Sequence, residues 1–109
     1  MSTGQNEQPL GFEVDVIAGT ATVVLSGDLD LGNHNSLAHH LARVLEYEPQ
    51  RLIFEMARVR FVDCASARLI AGTGRSLPEG VRPVIRGAQP VVGTVLRITG
   101  LGALCDLAG

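Results

Sequence analysis

The sequence predicts an α/β domain, a small mixed sheet of four to five strands with three or more helices packed against it. Strand-type alternation and helix-type spacing take turns along the chain, one helical stretch lies between two extended runs, and the apolar residues are nearly all aliphatic. Apolar residues at every second position line one face of a strand, whereas recurrence at three and four makes one stripe on a helix, so a switch of period marks a change of element. A helix joining two extended runs is a β-α-β crossover, which requires the two strands to be parallel and the connection right-handed. Hydrophobic residues make up 46% of the 109 positions and aromatics only 4%, with no tryptophan, so the core must be built from Val, Leu, Ile and Ala. That is the composition of a small α/β sheet with covered faces.

In chain order, residues 1–9 are rich in Ser, Thr, Gly, Gln and Asn and are expected to form a disordered tail, leaving 10–109 as a single domain. Phe12, Val14 and Val16 alternate with Glu13 and Asp15, the pattern of a strand with one face in solvent. Gly19-Thr20 reads as a hairpin turn into the β-branched run Ala21 to Leu25. After Asp30 the period changes: Leu37, Leu41, Val44 and Leu45 form one helical stripe, capped by Asn33 or Asn35 and ended by Pro49. Arg51 to Met56 is a short apolar strand that leads through Ala57 to Arg60 into a turn at Asp63. A helix follows from Cys64 to about Ser76, with Gly72 and Gly74 weakening its last turns. Val81 to Arg86 reads as another strand, with Pro83 near its start or at a sheet edge. A last helix runs from Pro90, a favoured first-turn proline, to the stop at Gly100, and the apolar spacing of Leu101 to Leu107 packs this tail back on the sheet.

Composition removes several classes of function. A formal net charge of -2 and a pI near 5.8 give no basic footprint for nucleic acid. No apolar run approaches bilayer length and the N-terminus lacks the basic-then-apolar order of a leader, so a cytoplasmic chain without membrane insertion is expected. Two cysteines, Cys64 and Cys105, are too few for a disulfide framework, and a reducing compartment leaves them as free thiols.

The stretch that gathers the chemistry is Phe61-Val62-Asp63-Cys64-Ala65-Ser66, where a strand ends and a helix starts. The Asp63 carboxylate suits an N-cap, and Cys64, Ala65 and Ser66 form a first turn with little side-chain cover. Phe-x-Asp followed by small residues, between a hydrophobic strand and a helix, resembles the phosphorylation loop of the STAS-domain anti-sigma factor antagonists, whose pattern is Phe-x-Asp-Ser-Ser-Gly-Leu. Leu25-Ser26-Gly27-Asp28-Leu29-Asp30 is similar to the Leu-x-Gly-Glu-Leu-Asp that ends an early strand in that family. The order of elements agrees from about Phe12 to Leu107. One departure outweighs the matches: the family's phosphorylated serine is Cys64 here, the next position is Ala65 and the glycine position is Ser66.

The resemblance implies a STAS-like fold and a protein that binds an anti-sigma factor, usually of serine-kinase type, and so frees a sigma factor for transcription. It implies competitive binding and not catalysis, with no cofactor and no metal. Carried over by position, the partner-binding residues are Gly27, Asp28, Asp30, Asp63, Cys64, Ala65 and Ser66, with Cys64 at the phosphoacceptor position. Because a thiol stands there, reset by phosphate is expected to be absent and thiol oxidation is the first alternative. A second reading within the same fold is a structural STAS subunit of a membrane transporter or lipid-trafficking complex, and a homodimer is compatible with either.

Other constellations have ordinary explanations beside the sharper ones. A cysteine enzyme would need a base at Cys64, and His34, His39 and His40 carry no signature that brings them there. The adjacent His39 and His40 diverge by about 100° on a helix, which rules out a shared metal and leaves surface histidines. Gly72-Thr73-Gly74-Arg75-Ser76 lacks the first glycine and the lysine of a phosphate loop, and reads as glycines at a helix end. Asp28 and Asp30 are either turn and cap residues or partner contacts. Cys64 and Cys105 are either a small helix-start residue and a core filler or a redox pair, which would need their Cα atoms within about 7 Å. Ser66 and Thr73 are the other candidate phosphosites, but Ser66, the hydroxyl of the exposed first turn, aligns to the family's glycine and not to its acceptor, and phosphate there would gain from the helix start and lose against Asp63.

Overall fold

The computed structural model describes residues 9–100 and 105–108. A five-stranded sheet runs in the order β1-β2-β3-β4-β5, with β1 (Gly11–Ile17), β2 (Thr20–Leu29), β3 (Arg51–Val62), β4 (Val84–Arg86) and β5 (Asp106–Ala108). β1 pairs antiparallel with β2 and every later neighbour pairs parallel, so the sheet is mixed as expected. Three helices, α1 (His34–Leu45), α2 (Cys64–Gly72) and α3 (Pro90–Ile98), supply the crossovers. Residues 1–8 of the expected tail 1–9, and 101–104 of the expected C-terminal packing, lie outside the described residues.

The first hairpin turns on Ala18 and Gly19, with φ of 52° and 80°. Positive φ at both central residues is what a two-residue turn needs to match strand twist, and glycine adopts it without strain. β2 then alternates without a break, burying Ala21, Val23, Leu25, Gly27 and Leu29 while the residues between are half-exposed. α1 buries the expected stripe of Leu37, Leu41 and Val44. Asn33 does precede α1, but its side chain makes no cap bond to the helix.

All three helices join one core cluster with Ala21, Val23, Leu25, Phe54 and Ile85, so they cover a single face of the sheet. The opposite face carries Thr22, Val24 and an exposed ion pair between Arg86 and Glu55 at 2.8 Å. The expectation from composition that both faces are covered is therefore corrected. An aliphatic-rich chain of this size has enough helix to cover one side only, and it leaves half-polar residues on the other.

β3 and β4 depart most from the sequence reading. β3 runs six residues beyond Met56, to Val62, and holds two register shifts against β2, between Val24/Ser26 and between Gly27/Asp28. β4 shortens to three residues because its start is given over to Pro83, which is buried and has no amide to donate.

Candidate functional site

The site is built where β2 and β3 end side by side. Parallel strands bring their C-terminal loops to the same edge of a sheet, and here Asp28 pairs with Phe61 and Leu29 with Val62. The amide of Asp63 donates to the Leu29 carbonyl at 2.9 Å, tying the turn after β3 to the end of β2. Gly27, Asp28 and Asp30 are thus neighbours of the Asp63 turn.

Asp63 has extended backbone, φ -93° and ψ 172°, and its carboxylate accepts from the Ser66 amide at 2.8 Å. Its own carbonyl accepts from the Ala67 amide at 3.0 Å, the first bond of the helix. This is the arrangement of an N-cap, which satisfies one of the amides that a helix start leaves unpaired. The first turn that follows is thinly covered: Cys64 is exposed, Ala65 is half-buried, and Arg68 stands one turn further on the same face.

Ser66 requires a correction. Its side chain is fully buried and its Oγ has no hydrogen-bond partner. With the helix started at Cys64, the third residue of the turn points inward beside Ala67 and Ile70, all in the buried set of α2. The exposed hydroxyl expected of this turn is absent, and Ser66 contributes its backbone amide to the cap. Thr73 is also buried, donating from its Oγ1 to the Ile70 carbonyl at 2.6 Å. Neither hydroxyl is open to a kinase.

The Asp30 carboxylate accepts from the Asn33 amide at 3.2 Å and caps a short 3-10 turn at Leu31–Asn33. The Asn33 side chain donates to the Asp28 carbonyl at 2.7 Å. These bonds fix the loop after β2 by turn chemistry. Gly27 sits at φ 93° beside one of the register shifts, a conformation that lets the strand bend before the loop begins.

Two residues at this edge escaped the sequence reading. Leu31, two residues past the end of β2, is 81% exposed, and Phe61, one residue before the end of β3, is 47% exposed, both large apolar side chains at the edge where α2 starts. Phe61 was visible only as part of a motif, and its outward direction could have been read from the inward Val62 that follows it. Leu31 carries no periodic signal.

The suggested redox pair is also corrected. Asp106 at the start of β5 is level with Val84, which is level with Ile53, so Cys105 lies near the N-terminal end of β3. Cys64 follows the C-terminal end of β3 at Val62. Strand rise puts the two on the order of 30 Å apart, well beyond bridging distance. Both thiols are free, with Cys64 exposed and Cys105 buried. Burial, followed by the Asp106 carboxylate, pushes the Cys105 thiol up from 9.0 to about 11, with the Arg82 guanidinium acting in the opposite direction.

A hollow of about 530 Å³ lies elsewhere, between β1 and α1 against Phe12, Val14, Val16 and Tyr47. There His40 is stacked on Phe12 with ring centroids 4.7 Å apart, while His39 is exposed. Among the described residues, no helix is long and apolar enough to cross a membrane.

This architecture and this turn define a class. The chain belongs to the STAS domain family, whose model matches residues 11–107. Solved structures with a similar fold include an anti-sigma factor antagonist from Mycobacterium paratuberculosis, at a TM-score of 0.82 and 20% identity, over 92% of this chain and 86% of that one. The unphosphorylated form of the anti-sigma factor antagonist SpoIIAA is similar at a TM-score of 0.75 and 23% identity, over 91% and 89% of the two chains. RsbS of Moorella thermoacetica gives 0.70 and 17%, over 90% and 85%. Comparison of the sequence with curated proteins finds no match.

Proposed function

We propose that this STAS domain is an anti-sigma factor antagonist that binds a serine-kinase-type anti-sigma factor in the cytoplasm and so releases a sigma factor. The observation that carries this reading is the uncovered first turn of α2, capped by Asp63 and opened by exposed Cys64, beside the loop held by Asp28 and Asp30. Exposed Leu31 and Phe61 extend it with apolar surface that a partner would cover. The mode of action is competition for the anti-sigma factor and involves no catalysis by this chain.

In the anti-sigma factor antagonists whose motif this turn resembles, phosphate on the acceptor serine ejects the partner, because a dianion placed in a close-packed interface is repelled and costly to desolvate. Cys64 occupies that position, and the hydroxyl of the same first turn, on Ser66, is buried. The kinase therefore has no group to modify at this turn. The antagonist stays competent until something else acts on it, and oxidation of the exposed Cys64 thiol is the first candidate.

The test is incubation with a purified kinase-type anti-sigma factor and ATP, read by intact mass. The wild-type chain is expected to bind and to gain no phosphate, while Cys64→Ser gains one. A phosphate on the wild-type chain would overturn the account of regulation. Co-purification with a transporter ATPase in place of an ATP-binding anti-sigma protein would overturn the function itself.

A further inference from the structure

At the far end of α2, away from the Asp63 turn, three arginines surround a groove of about 470 Å³. Arg68 comes from α2, Arg75 from the 3-10 turn Thr73–Ser76, and Arg82 from the segment that leads into β4. The groove is open because two of the residues along it, Gly72 and Gly74, have no side chain. Gly74 lies close under Pro83, where an added Cβ would come within 3.1 Å of the proline ring. The apolar contribution comes from Ala71 and Val81.

The charge here is not balanced locally. Arg82 faces Asp106 at 3.6 Å, whereas Arg68 and Arg75 make no ion pair or hydrogen bond among the described residues. The helix end beneath them offers about half an elementary negative charge, which offsets only a fraction of the two guanidinium groups of Arg68 and Arg75. A basic groove on a chain with a formal net charge of -2 is a local feature of this face. Guanidinium groups present paired donors that match carboxylates, and an apolar floor with a cationic rim suits an extended acidic segment bearing occasional apolar side chains.

We propose that this groove receives an acidic segment of the protein partner, rich in Asp and Glu, when that partner docks on the first turn of α2. The proposal rests on the reading of that turn as a docking surface. Cys64 and Arg68 are four residues apart and share a face of α2, so the exposed side of the helix leads from the turn to the groove. The length of α2, about 13 Å at the usual rise, keeps both within one interface of standard size. The turn supplies the apolar contacts and the groove supplies charge complementarity, which governs encounter rate and partner choice.

The experiment has two arms. In the first, the isotopically labelled chain is titrated with a hexaglutamate peptide, with inorganic pyrophosphate and with a hexalysine peptide, and amide shifts are followed. Hexaglutamate is expected to move the Gly72, Gly74 and Arg75 amides, and to stop doing so in an Arg68→Gln/Arg75→Gln variant whose spectrum remains dispersed. No localised shift, or a response to pyrophosphate alone, would overturn the proposal. In the second arm a purified kinase-type anti-sigma factor is bound at low and high salt. The double variant is expected to bind about tenfold more weakly with a flatter salt dependence, while Arg97→Gln on α3 binds as wild type. Equal binding by the double variant would also overturn it. If the wild-type chain fails to bind the anti-sigma factor while the hexaglutamate shifts persist, the antagonist reading falls and the acidic-segment site stands.

Discussion

At Ser66 a hydroxyl is enclosed with no hydrogen-bond partner among the described residues. An enclosed polar group without a partner costs its desolvation and returns nothing, so Ser66→Ala is expected to raise stability by about 1 kcal/mol, seen as a higher urea midpoint at unchanged slope. A loss of stability would mean that the hydroxyl is satisfied. The Cys105 thiol makes a second residue-level prediction. The unfolded chain gives up this proton near the ordinary value of 9.0, whereas the folded chain keeps it to about 11. The folded state binds more protons across that window, so the stability contributed is complete below about pH 9 and is lost as pH climbs to about 11. Urea midpoints measured through this range should fall for the wild-type chain and fall less for Cys105→Ala.

At the level of elements, the two register shifts of β3 explain why its second half could not be read from the sequence. Each shift adds a residue that breaks period two, so the positions that join the core cluster run Leu52, Phe54, Met56 and then Val59 and Val62 at steps of three. Ala57 to Arg60 consequently looked like a connector, although they belong to the strand that delivers Asp63. β2 keeps its alternation and runs to Leu29, four residues beyond the β-branched run that the sequence marks. Gly27 at φ 93° is where β2 bends toward the loop of Asp28 and Asp30. Gly27→Ala forces a side chain into that conformation and is expected to cost roughly 1 to 2 kcal/mol. It should also weaken partner binding through displacement of Leu31, and a binding curve identical to wild type would show that the bend does not set the loop.

Across the whole molecule β3 is the spine, pairing with β2 on one side and β4 on the other. Phe54 at its middle is fully buried and is the largest of the enclosed side chains. Phe54→Ala is expected to cost about 3 to 5 kcal/mol in a denaturant titration, a large share of the stability of a domain this size. What the sequence determined by itself was local: the hairpin, the stripe of α1, the cap at Asp63, the parallel pairing implied by a helix between two strands, and the family these motifs resemble. Each depends on side-chain period or turn chemistry within a few residues, and both can be read along a line. Only the tertiary structure decided which face of each first-turn residue is exposed, and so turned Ser66 inward and left Cys64 outward. It alone set Cys64 and Cys105 at opposite ends of β3 and brought Arg68, Arg75 and Arg82 around one groove. Those outcomes depend on register and on how far one element reaches past another, and no periodicity along the chain records either.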